Sequence, residues 1–155
     1  MSGNNVAGAY RQYAARGASP AAITGMIYDV AIESLNRAIR AIDRGDIPER
    51  VAASNKFFAV IAELRSALDY ERGGEVARRL GRFYQIARGE VLQANIRIDR
   101  ALFQKYARLF GDLREAWKKV ERDCAGTVPA PESRPVTIVR APKPDSHPVG
   151  SRWDA

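Results

Sequence analysis

The chain is predicted to be all-α: an antiparallel up-down four-helix bundle with a short N-terminal helical cap and a disordered proline-rich C-terminal tail. Three observations predict it. Apolar residues recur at three- and four-residue steps through four segments between Ser19 and Asp123. The breaks between those segments are short and carry helix-capping residues. Six of the eight prolines fall after Cys124, where a helix cannot continue.

The first segment opens at Ser19-Pro20, a residue able to cap a helix followed by one suited to its first position. Ile23, Ile27, Val30, Leu35, Ala38 and Ile42 then form its stripe, and Gly45 supplies a left-handed stop. Asp46 caps the second segment, with Glu49 three positions on in a capping-box pattern and Pro48 tolerated in the first turn. Its stripe is Phe57, Ile61, Leu64 and Leu68, and it runs out at "DYERGG". The third carries Val76, Leu80, Phe83, Ala87, Val91 and Ala94; Gly81 and Gly89, eight apart, are expected to share a face and admit another backbone. The fourth begins after Asp99 and runs Leu102, Tyr106, Leu109, Leu113, Trp117 and Val120. Helices of about 20 to 25 residues span about 30 to 37 Å. Connections this short force successive helices antiparallel. The division is therefore 1–18 as cap, 19–123 as bundle and 124–155 as tail, with Val136 to Val139 the one piece of the tail able to pair as a strand or dock.

Composition narrows the function. One cysteine among 155 residues permits no internal disulfide and fits a reducing compartment. No apolar run approaches the ~20 residues that span a bilayer, and "MSGNNVAGAY" lacks a secretory signal, so the expected location is the cytosol. A net charge of +7 admits a nucleic-acid adaptor using Arg78, Arg79, Arg82 and Arg88, whose binding would weaken steeply with salt. A basic helix face more commonly meets solvent or an acidic protein, which makes nucleic acid the minority reading.

Chemistry has little to work with. The single histidine, His147, lies in the tail, and Cys124 follows Glu121 and Asp123, whose charges disfavour a thiolate. One Cys and one distant His cannot make a zinc site. The paired glycines Gly73 and Gly74 fit neither phosphate-loop pattern and follow a helical segment, so they turn the chain. No catalytic residue, metal or cofactor is expected.

One feature exceeds a plain bundle. The first helix adds Met26, Tyr28, Ile32 and Ile39 to its stripe, the second adds Phe58 and Val60, and the fourth adds Phe103, Ala107 and Phe110, with Trp117 shared between faces. Part of this surplus widens the core stripe. The remainder is expected to leave apolar grooves at the surface, suited to an amphipathic peptide. Phe103, Phe110 and Trp117 are therefore candidate binding residues.

"AY" at Ala9-Tyr10, "SP" at Ser19-Pro20, "MIYD" at Met26 to Asp29, "GD" at Gly45-Asp46, "ELRSALDYERGGEVARRL" at Glu63 to Leu80, "ANIRID" at Ala94 to Asp99 and "LREAWKKV" at Leu113 to Val120 stand in the order and spacing of one family. Over about residues 9 to 123 the chain resembles the flagellar secretion chaperone FliS. The resemblance implies a cytosolic helical bundle that binds the disordered C-terminal part of flagellin, keeps it monomeric and delivers it to the flagellar type III export gate. Hook-associated or cap proteins are the alternative clients, and homodimerisation of the free chain stays open. Carried over, Tyr10 is a displaceable cap, and Ile23, Met26, Ile27 and Tyr28 line or support a client groove. Tyr28 and Asp29 match the family's "LYD", with packing of the bundle as their alternative role. Val30, Gln85 and Gly89 depart from the family pattern.

Overall fold

Ser19 accepts a 3.1 Å hydrogen bond from the Ala22 N–H and starts the first helix, with Pro20 at its first position. The computed structural model describes residues 8, 11, 12 and 15–127. From Pro20 onward these form α1 (Pro20–Arg44), α2 (Ile47–Ser66), α3 (Tyr70–Arg97) and α4 (Arg100–Thr127), and no strand occurs among them. One unit runs to Arg122 and holds the core of the bundle; a second begins at Asp123. Of the expected cap only part is described, including a turn in which the Arg16 N–H bonds the Gln12 carbonyl at 3.1 Å. Tyr10 and residues 128–155 lie outside the described residues. The last helix continues to Thr127, past the expected boundary at 123, because the first proline comes only at Pro129.

Gly45 ends α1 in the left-handed region (φ 67°), its N–H reaching the Ala41 and Ile42 carbonyls. Asp46 caps α2 through the Glu49 N–H at 3.0 Å. The expected capping box is only half made. Glu49 takes Arg37 Nε at 2.9 Å and Nη2 at 2.6 Å instead of turning back. α2 then stops at Ser66, and Leu68 packs half-buried from the connection. Asp69 caps a single turn, accepting from the Glu71 and Arg72 N–H groups, before Gly74 (φ 51°, ψ −126°) breaks the helix. The glycine pair, expected to end one helix and reverse the chain into the next, does otherwise: α2 ends at Ser66, and Gly74 kinks α3 between that short turn and its main body. At the far end Ile98 adopts φ 57°, ψ 44°, a left-handed position that costs a β-branched residue about 1–2 kcal/mol. Asp99 caps α4 through the Leu102 N–H at 3.0 Å.

Polar contacts fix the directions. Arg50 bonds Asn95 at 3.1 Å, joining the start of α2 to the end of α3. Asp43 and Asp29 of α1 hold Arg100 and Arg114 of α4 at 2.7 and 2.9 Å, so the first and last helices also run antiparallel. Between them lies a layer of rings. Phe110 sits 5.7 Å from Tyr28, 5.5 Å from Phe57 and 5.4 Å from Phe83, centroid to centroid, drawing on all four helices.

The stripes of α3 and α4 are rotated from expectation. The buried line of α3 is Ala77, Gly81, Tyr84, Ala87, Val91 and Ala94. Val76 lies outside it at 66 % exposure, and Leu80 and Phe83 are half-buried flanks. On α4 the core takes Phe103, Tyr106 and Phe110, whereas Leu102, Leu109 and Leu113 lie at its edge. Burying rings removes more apolar area per residue, so the aromatic row goes inward. The two glycines do not act together. A methyl on Gly81 would meet the Tyr70 hydroxyl at 2.7 Å, whereas Gly89 has open space around it.

Candidate functional site

The rotation of α3 and α4 makes the site. With Leu109 and Leu113 at one edge and Leu80 and Phe83 at the other, an apolar trough of about 340 Å³ opens between the helices, flanked by Arg79 and Asp112. At the end of the bundle where α2 joins α3 a second recess of about 220 Å³ is lined by Ile27, Leu64, Leu68, Val76, Leu80 and Trp117, among others. Leu80 lines both, so the recess and the trough adjoin at that side chain and together form an apolar track along the bundle. Val76, on the wall of the recess, stands largely exposed.

Behind the end recess lies a polar pair. The hydroxyls of Tyr28 and Tyr84 hydrogen-bond each other in the core. Burial pushes the Tyr28 phenol above its ordinary value, with hydrogen bonds to Tyr84 and Trp117 pulling the other way. Burial pushes Tyr84 up as well, and its Tyr28 neighbour adds to the shift. Both groups are thus favoured neutral in the fold, whereas in the unfolded chain they ionise near pH 10. The stability this represents is intact below pH 10 and is lost as pH rises through the alkaline range. Unfolding followed by circular dichroism should show stability falling above pH 10 by about 1.4 kcal/mol per pH unit for each tyrosine. Tyr84→Phe should cost about 0.5–1.5 kcal/mol, because the Tyr28 hydroxyl loses its Tyr84 partner and keeps only Trp117. An unchanged alkaline limb when Tyr28→Phe is added would show that these phenols are not its source.

The expected binding residues divide by depth. Tyr28, Phe103 and Phe110 have no exposure and belong to the core; for Tyr28 this fits the supporting or packing role, and Phe103 and Phe110, expected on a groove, can hold one only from beneath. Ile23 is likewise buried, and Ile27 is a buried wall of the end recess. Met26 is half-buried. Trp117 is partly buried, lines the recess and lies 6.4 Å from the Tyr28 ring. Asp29 is exposed and clasps Arg114, whose side chain is only 15 % exposed and whose path across α1 requires Gly25, since a Cβ there would strike the guanidinium. Tyr10 is outside the described residues. The residues that periodicity misplaces are Val76, Leu80, Phe83, Leu109 and Leu113, all expected in core seams and found on the track. One signal was available: α4 carries parallel aromatic and aliphatic rows, and the bulkier row is the one that sinks.

Among the described residues no helix is long and apolar enough to cross a membrane. A helical body with an open apolar track along two of its helices is the architecture of a protein that holds a segment of another chain. The family described as flagellar protein FliS matches residues 3–123, and this chain belongs to it. It is similar to the flagellar secretion chaperone FliS of Campylobacter jejuni, 33% identical over 121 residues that cover 77% of this chain and 94% of that one. The FliS of Salmonella typhimurium is 34% identical over 104 residues (66% of this chain, 77% of that one), and the FliSB of Pseudomonas aeruginosa is 32% identical over 100 residues (64% and 79%).

Proposed function

We propose that this chain is a non-catalytic export chaperone of the cytosol, which holds the disordered C-terminal segment of flagellin and delivers it to the flagellar type III export gate. The observation that carries the reading is the pair of apolar hollows, the end recess and the α3–α4 trough, that meet at Leu80. An assembly segment left free would self-associate through its apolar side chains. Covering them stabilises the complex by about 25 cal/mol per Å² buried. Ordering a disordered client offsets part of that gain, which leaves an affinity that export can reverse. Holding requires no nucleotide and no cofactor. In this reading residues 1–18, with Tyr10, cover part of the track in the free protein, 19–123 form the holding body, and 124–155 are an appended tail. Ile27 and Trp117 meet the client at the end recess, while Tyr28, Phe103 and Phe110 support it from below.

Mixed with flagellin from the same organism, the protein is expected to elute from a sizing column as a discrete 1:1 complex that persists at high salt, since apolar burial is not screened. Separate elution would overturn the reading. A complex that dissolves steeply with salt would instead favour a charge-driven partner.

A further inference from the structure

Residues 68–73 cross from α2 to the body of α3 and supply part of the wall of the end recess: Leu68, Asp69 and Gly73 line it beside Val76, Ala77 and Leu80. This strap is folded back on α3 by contacts that glycine alone permits. Gly74 holds it at φ 51°, ψ −126°, torsions that residues with a side chain avoid. A Cβ on Gly73 would stand 2.7 Å from the Ala77 Cβ. Residues four apart on a continuous helix keep their Cβ atoms about 5–6 Å apart. A Cβ on the buried Gly81 would meet the Tyr70 hydroxyl at 2.7 Å and the Leu68 Cδ1 at 3.3 Å.

All three glycines serve this bent state. In a straight helix from Tyr70 to Arg97 none of them would be needed, and each would weaken the helix relative to alanine. The straight state is nonetheless close at hand. Gly74 is the one residue inside α3 with non-helical torsions, and Asp69 already caps the turn that precedes it. A change at Gly74 alone therefore converts bent to straight. Straightening would part Tyr70 from Gly81, because eleven residues span about 16 Å of helix axis, beyond the reach of a tyrosine side chain. Tyr70 is 51 % exposed, so the contact that holds the strap down is shallow.

We propose that the strap is a gate on the end recess, a regulation of the client site that rests on the function proposed above. Bent, with Leu68 and Tyr70 seated on Gly81, it walls the recess. Straightened at Gly74, it lifts both side chains and opens the surface of Ala77 and Leu80 to an apolar side chain of the client. A client that enters the open state binds a mostly closed chain with an affinity reduced by the open fraction.

The test uses the full-length chain carrying Trp153→Phe, which leaves Trp117, on the recess lining, as its single tryptophan. Gly74→Ala forbids the bent torsions and favours the straight helix. Tyr70→Ala removes the latch and leaves every glycine in place. Both should raise acrylamide quenching of Trp117 in the free protein. Both should also tighten binding of flagellin from the same organism about threefold or more in calorimetric titration. Tyr70→Phe, which keeps the ring over Gly81, should match the parent in both measurements, as should Gly111→Ala at an open helical glycine on α4. Quenching at the parent level in both Gly74→Ala and Tyr70→Ala would overturn the gate. So would raised quenching with weaker binding, since the strap would then be part of the client's seat. No flagellin binding by the parent, with quenching raised in both variants, would overturn the chaperone reading and leave the gate in place.

Discussion

Phe110→Ala is expected to cost about 3–5 kcal/mol, the range for removing a ring from a packed interior. The ring is without exposure and touches Tyr28, Phe57 and Phe83, so its loss leaves a cavity bordered by all four helices. Domains are stable by about 5–15 kcal/mol, and this one substitution would consume a large share. Urea denaturation should show the midpoint falling with little change in slope. At a temperature where the variant stays folded, its affinity for flagellin should fall far less than its stability. Stability equal to wild type would mean that the ring layer is not the centre of the bundle.

Val76→Glu is expected to do the reverse, leaving the fold intact and weakening flagellin binding at least tenfold, about 1.4 kcal/mol. Val76 lines the end recess yet is largely exposed in the free protein. A carboxylate there follows Glu75, in the first turn after the Gly74 break, where the helix dipole favours negative charge. In the complex that carboxylate would be drawn out of water against apolar side chains, a penalty absent from the free protein. Unchanged melting with a lower association constant is the expected pair of results. Unchanged affinity would move the binding surface away from the end recess.

The fold was largely legible because its punctuation is chemical. Ser19-Pro20, Gly45-Asp46 and Asp99 each have a capping role that local geometry enforces whatever the tertiary contacts. The site was less legible because a helical period gives the spacing of a row but not which of two adjacent rows faces inward. On α4, Phe103 and Phe110 compete with Leu102, Leu109 and Leu113, and only packing against Tyr28, Phe57 and Phe83 decides the outcome. On α3 the deciding residues are small: Ala77, Gly81, Ala87 and Ala94 let neighbours approach, and that leaves Val76 outside. Surplus apolar surface pointed to open grooves, but the residues on them exchanged places with those beneath. Asp29 shows a further limit. Its partner Arg114 is 85 positions away, and no local spacing could have joined them.

The break at Gly74 gives the two parts of the track unequal stiffness. The trough lies between long helices, and widening it would require whole rods to slide. One wall of the end recess includes Gly73, in a lone helical turn joined to the rest of α3 through a residue with no side chain to restrict its torsions. That link lets the short turn take its own angle to the body of α3, against which Tyr70 packs at Gly81. In the proposed chaperone, selectivity among cargoes is expected to reside in the rigid part, and tolerance of sequence drift in the part next to the Gly74 break.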